Sequence, residues 1–370
     1  MIRLTSPDLS GSIDDLRTIL ESGFLIQGKT VERFESLVAD YVGRKHAVAV
    51  SSGTSAIQCA LKAVGITGGD EVVVPDFTFP ATANAVVCTG ATPVLADIDP
   101  ATFNLDSGPV EARLSPRTRA IMPVDLFGLA ADLDAIDTLC RSRGLMLVED
   151  SACALGSELG ARRCGSFGVA SVFSFHPRKL VTTGEGGMIL TDDDEIARKC
   201  RLLRNHGMER SAAGIDFVLA GWNMRMNELE ACIGIRQIKS LDARITKRRR
   251  IASLYNQLLS DLAGVTCPVE PENRRHSYQA YVVMLDDRID RAALMRDLLK
   301  RGVETAIGTF AVHAQAFYAG LLGLRPGSLP HSYRAYNQSL ALPIYASMEE
   351  KAVHTVAETL SRCVSDVAGT

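Results

Sequence analysis

Between residues 46 and 191 the chain alternates short apolar runs with segments whose apolar residues recur at helical spacing. Runs at 46–50, 71–74, 92–97, 119–126, 145–150, 170–175 and 188–191 have strand length, and several are apolar throughout. Between them 54–64, 79–89 and 133–143 read as helices; in the first, Ala56, Ile57, Ala60, Leu61 and Val64 share one face. A strand that is apolar on both sides must be covered on both faces. The pattern therefore predicts an α/β fold with a mostly parallel sheet sandwiched by helices, in which ligands bind beyond the carboxyl ends of the strands.

The remainder fits around that sheet. Helical pieces over 12–41, interrupted at 23–28, form an arm or first helix of a large domain taken as 1–250. One long helix is predicted over 226–259, and the basic block Lys247, Arg248, Arg249 and Arg250 within it reads as a solvated helix face. After it, a strand at 278–285 and helices at 291–301, 333–342 and 348–364 predict a smaller C-terminal α+β domain, 251–370. At 370 residues there is room for both cores.

Composition narrows the function. The net charge of −3 provides no field for nucleic acid or an anionic membrane. Nine cysteines stand singly, with no C-x-x-C pair, which argues for a reducing compartment and against a metal centre. No run of 18 apolar residues occurs, and charged and polar residues interrupt 1–15 before a signal-peptide core could form. The expectation is a soluble, cytoplasmic protein.

Residues 170–192, ASVFSFHPRKLVTTGEGGMILTD, place Lys179 on a turn between two apolar strands beside a glycine-rich loop. Lysine is almost never buried without a partner or a purpose. Three other features meet the demands of pyridoxal 5'-phosphate. Gly53-Thr54-Ser55 opens a helix, where unpaired N–H groups favour a phosphate. Asp150, ending the strand LMLVED, suits a protonated ring nitrogen, and Phe79 offers an aromatic face. A lysine made less basic by partial burial can attack the aldehyde.

These residues lie in motifs that resemble the DegT/StrS family of pyridoxal-phosphate-dependent sugar-nucleotide aminotransferases, of the aspartate-aminotransferase (type I) fold. The motifs are SSGTSAI (51–57), PDFTFPATANAV (75–86), GATPVLADIDPATFNLD (90–106), EDSACALGS (149–157), SFHPRKLVTTGEGGMILTDD (174–193) and GWNMRMNELEACIG (221–234). The resemblance implies Lys179 as the Schiff-base lysine and proton shuttle, and Asp150 as partner of the pyridinium. It implies Thr54, Ser55 and Ser174 at the phosphate with Gly53, Phe79 stacked on the ring, and Asn223 reaching the phosphate of a neighbouring subunit in a homodimer. Glu185 and His313 are expected to face the substrate. The implied reaction moves an amino group from an amino acid, L-glutamate, to a nucleotide-linked keto-deoxysugar. Alternatives are a pyridoxal-phosphate-dependent sugar dehydratase and a non-catalytic sensor of cofactor or sugar nucleotide. Where the family often has Gln or His three residues after the aspartate, this chain has Cys153; Leu180 replaces a common Asn, and Asp125 stands where His is frequent, a change expected to bear on sugar recognition.

Overall fold

The computed structural model describes residues 1–212 and 214–368. Helices α1 (Ser12–Ser22) and α2 (Lys29–Val42) precede a seven-stranded sheet. Its strands are β1 (His46–Val50), β2 (Glu71–Pro75), β3 (Thr92–Ala96), β4 (Thr118–Ile121), β5 (Met146–Asp150), β6 (Ala170–Ser174) and β7 (Gly187–Thr191), in the spatial order β1-β7-β6-β5-β4-β2-β3. Only β7 runs against the others. Both faces are covered, as the unbroken apolar runs require: Val72 and Val74 pack with Ile57 and Leu61 of α3 (Gly53–Ala63), whereas Val73 packs with Ile136 and Leu139 of the opposite layer. Helices α4 (Ala81–Cys88), α5 (Leu133–Arg143) and α6 (Asp194–Leu203) complete the two layers.

The register of β7 brings the ends of distant segments together. Gly187 pairs with Val50 on one side and with Ser174 on the other. The start of α3 and the end of β6 thereby become neighbours.

The helix expected over 226–259 is two helices, α7 (Glu228–Ile238) and α8 (Leu241–Leu259). The apolar spacing runs on across the break because Ile238, Leu241 and Ile245 all enter one cluster. The basic block within α8 is a solvated face only in part: Lys247 and Arg250 are exposed, but the two residues between them are not. Arg248 is buried, its Nε and Nη2 donating to the carbonyls of Tyr278 and Gln279 at 2.8 and 2.6 Å, and Arg249 meets Glu270 at 2.5 Å. Carbonyl dipoles take the place of water around the Arg248 charge.

A second sheet follows, with β8 (Val265–Thr266), β9 (Tyr281–Leu285), β10 (Ala306–Ile307) and β11 (Ser339–Leu342) in the order β8-β9-β11-β10. With α9 (Arg291–Lys300) and the helix Glu350–Ala368 it encloses a core running from Ile251 to Val364. The helix expected over 333–342 ends early: α10 spans Pro330–Gln338, and the apolar tail Ser339–Leu342 is a fully buried strand between β9 and β10. Part of this C-terminal portion returns to the first sheet's side of the molecule, where Phe310–Ala311 pairs with Phe77–Thr78, just past the end of β2, in a two-stranded sheet of their own.

Candidate active site

Each wall of the site starts from a strand end. After β1, Ser52 caps α3 by accepting the Ser55 N–H at 3.1 Å, and the Ala56 N–H bonds the Ser52 carbonyl at 3.0 Å. The amides of Gly53 and Thr54 precede that first intrahelical bond, and both residues line a cavity of about 510 Å³. Such a helix start draws anions. Close packing holds it in place: a Cβ on Gly53 would lie 2.7 Å from Ser174 Cβ, and one on Gly187 only 2.3 Å from the Ser52 carbonyl oxygen.

Beyond β6, the turn from His176 to Lys179 is closed by the Lys179 N–H donating to the His176 carbonyl at 2.8 Å. Lys179 reaches into the cavity, where Nζ lies 2.8 Å from Cys153 Sγ. Asp150, at the end of β5, is 2% exposed and also lines the cavity. Its Oδ2 accepts the Thr82 hydroxyl at 2.9 Å and its Oδ1 the Ala152 N–H at 3.2 Å. Burial pushes its carboxyl up from the usual range, opposed by those two hydrogen bonds and by the charge of Lys179. A carboxylate so placed is stabilised by any cation brought against it.

Phe79 stands at the rim with 63% of its surface exposed and Phe310 edge-on at 6.2 Å. Ser174 and Glu185 line the same cavity. The C-terminal half closes it with Gln279, Thr309 and Ile344, and Gln279 Nε2 ties the lysine turn by donating to the Arg178 carbonyl at 2.8 Å. Thr82 and Gln279 were not among the residues singled out from sequence. The Thr82 hydroxyl lies 3.2 Å from that of Thr78, but Thr78 belongs to the strand before α4, so no helical spacing marks the pair. Gln279 carried no signal either, because only tertiary packing brings it near Lys179.

Four residues named from the sequence are not on the lining of this cavity. Ser55 is outside the cavity lining, its amide taken by Ser52. Asn223 is exposed and absent from the lining, paired with Asn205 through a bridge, next to Met224, whose carbonyl accepts the Ser51 N–H at 2.8 Å. His313 does not face the cavity either: it is 1% exposed, with Nδ1 2.6 Å from Asp76 Oδ2 and its N–H donating to Asp76 Oδ1 at 2.7 Å. That clamp fastens the 310–313 segment to the end of β2. Asp125 also points away from the cavity, which corrects its expected part in sugar recognition. It is buried, accepting the Ala131 N–H at 2.8 Å and the Ser151 hydroxyl at 2.7 Å, and Ser151 Oγ is equally 2.7 Å from Glu149. Burial first, then the neighbouring Glu149 charge, pushes the Asp125 carboxyl well above its usual range. Leu180 is buried in the core.

The family model for DegT/DnrJ/EryC1/StrS aminotransferases matches residues 10–361. The chain belongs to that family. Relatives and solved structures agree along the full length. It is 38% identical to a GDP-perosamine synthase of Caulobacter vibrioides over 98% of both chains. Its fold is that of the aminotransferase TlmJ from Streptoalloteichus hindustanus, with a TM-score of 0.92, 34% identity and all of both chains covered. It is similar to DesV of S. venezuelae, solved in complex with a ketimine intermediate, with a TM-score of 0.90, 34% identity and 98% of both chains covered. This member of the family is an enzyme with the mixed α/β architecture of those aminotransferases, and among its described residues no helix is long and apolar enough to cross a membrane.

Proposed function

We propose that the enzyme uses pyridoxal phosphate to move an amino group from an amino acid, L-glutamate, to the keto group of a nucleotide-linked deoxysugar. The observation that carries this reading is the convergence of Lys179, Asp150 and the open start of α3 on one cavity beneath Phe79. The fit to the cofactor rests on the same features. The Gly53 and Thr54 amides with Ser174 would hold its phosphate, Asp150 its ring nitrogen and Phe79 its ring face. The relatives' names support the substrate class: a GDP-sugar product is named for one, and dTDP-3-amino-3,4,6-trideoxy-alpha-D-glucose transaminase for another from Micromonospora megalomicea, 36% identical over 94% of the chain.

Bound pyridoxal phosphate would supply an aldehyde for the amine and a cationic ring that accepts electrons from the carbon being deprotonated. Lys179 Nζ is the group that would hold the cofactor and, once released, take the proton from the donor's Cα and return it at the neighbouring position. Asp150, disfavoured as a lone buried anion, would keep the ring nitrogen protonated. Thr82 and the Ala152 amide fix the orientation of that carboxylate. Glu185 and Gln279 stand where a sugar hydroxyl could be bound.

A homodimer completes the proposal. Asn223 is exposed and not on the lining of its own chain's cavity, while Phe24, Leu25 and Ile26 are exposed on the arm, where Ile26 bridges Asn227. A second copy covering this surface would bring Asn223 to its partner's site. A cytoplasmic location belongs to the same reading.

The test is the visible absorption of purified protein with pyridoxal phosphate. A band from cofactor bound through Lys179 should appear, shift on adding L-glutamate, and be absent in Lys179→Ala. A band that glutamate leaves unchanged would exclude this donor, and no band at all would overturn the assignment of Lys179.

A further inference from the structure

Cys153 is the one cysteine on the cavity that contains Lys179. The other thiols are differently placed. Cys59, Cys140, Cys164, Cys200, Cys232 and Cys363 are buried, and burial pushes the thiols of Cys59 and Cys140 up to about 12, away from the reactive thiolate. Cys153 is half-buried, open to the cavity, with Sγ 2.8 Å from Lys179 Nζ.

Both side chains extend from closed turns. On one side the Ala154 N–H donates to the Ser151 carbonyl at 2.8 Å; on the other the Lys179 N–H donates to the His176 carbonyl at 2.8 Å. A sulfur and an amine nitrogen held in contact in this way have an effective concentration far above that of any solute.

We propose that Cys153 and Lys179 form a peroxide-driven, thiol-reversible sulfur–nitrogen bond when Lys179 is free of cofactor, which makes the pair a redox switch on cofactor binding. In the first step the Cys153 sulfur attacks a hydroperoxide oxygen; the O–O bond breaks, sulfur loses two electrons, and hydrogen peroxide is reduced to water. In the second, the Lys179 amine lone pair attacks the sulfenic sulfur. The S–O bond breaks, and the departing hydroxide takes a proton from nitrogen and leaves as water. The net change is the loss of one hydrogen from each side chain. A thiol attacking the sulfur returns the amine, and a second thiol returns Cys153 through the mixed disulfide. Bond formation needs only the two side chains; its effect on activity rests on the reading of Lys179 as the cofactor lysine.

The experiment treats the full-length protein with hydrogen peroxide in three states: without cofactor, with pyridoxal phosphate, and with pyridoxamine phosphate, which leaves the lysine amine free. Non-reducing digestion and mass spectrometry should find the Cys153 and Lys179 peptides linked at about 2 Da below their summed mass in the first and third states. Dithiothreitol should release them. Pyridoxal phosphate should suppress the link, and peroxide-treated cofactor-free protein should lose its visible band with pyridoxal phosphate until thiol is added. Cys153→Ser should give no link, whereas Cys88→Ser, at an exposed thiol away from the cavity, should still give it. Cys153 recovered as sulfinic acid beside an unmodified Lys179 would overturn the bond. A normal visible band in untreated protein would leave the cofactor reading standing in that case. A link that forms equally with pyridoxal phosphate bound would overturn the switch.

Discussion

The carboxylate of Asp150 depends on one hydroxyl that is itself held by another, Thr82 against Thr78. Thr82→Val keeps the shape and removes the donor, leaving a buried acceptor short of one partner. That loss costs about 1–3 kcal/mol, so pyridoxal phosphate affinity should fall by about 5- to 150-fold, read from a titration of the visible band. An unchanged affinity would remove Thr82 from the cofactor's support. Asp125 makes a different prediction. Its folded-state carboxyl is raised above the unfolded one, so its neutral form contributes stability at low pH, and that contribution is lost as pH rises through the folded value. Asp125→Asn keeps an acceptor for Ala131 and cannot ionise. Thermal denaturation should show the variant within about 1 kcal/mol of the parent at acidic pH and declining less as pH rises. An equal decline in both would place the alkaline loss elsewhere.

Among the elements, β7 does most to assemble the site. It is the one antiparallel strand, and its first residue sits between the end of β1 and the end of β6. A methyl group on Gly187 would press on the Ser52 carbonyl, a backbone atom that cannot rotate away. Gly187→Ala should therefore destabilise the fold by about 1–3 kcal/mol and move the start of α3 away from Ser174, weakening phosphate binding along with it. Denaturant melts and a cofactor titration on the same variant would separate the two effects. A variant as stable as the parent would mean that β7 and α3 have room to part. The lengths of the elements were harder to read than their kinds. Periodicity ran unbroken from α7 into α8 because the residues on both sides of the break face the same cluster, and Ser339–Leu342 resembled the end of a helix until it was paired between β9 and β10. An apolar run of four residues is compatible with either state, and neighbouring strands decide between them.

At the scale of the whole molecule, the proposed dimer can be tested by complementation. Lys179→Ala lacks the cofactor lysine and Asn223→Ala lacks the residue offered to the partner; in a mixed dimer, one of the two sites regains both. Refolding the two inactive variants together at equal concentration should restore about a quarter of the parental activity, since half the dimers are mixed and each has one complete site. No recovery would place Asn223 in its own chain's site or outside both. Across the molecule, the sequence by itself determined the α/β class and the candidates Lys179, Asp150, Gly53, Thr54, Phe79, Ser174 and Glu185. Strand and helix periods are local, and these residues sit at strand ends or on the turns that follow them. Only the tertiary structure decided the direction in which side chains face. It turned Asp125 and His313 into the core, set Cys153 against Lys179, brought Thr82 under Asp150, and drew Gln279 across from the other half of the chain. Sequence spacing gives the side of an element on which a residue lies, but contact between segments a hundred residues apart is fixed by how sheets and helices pack.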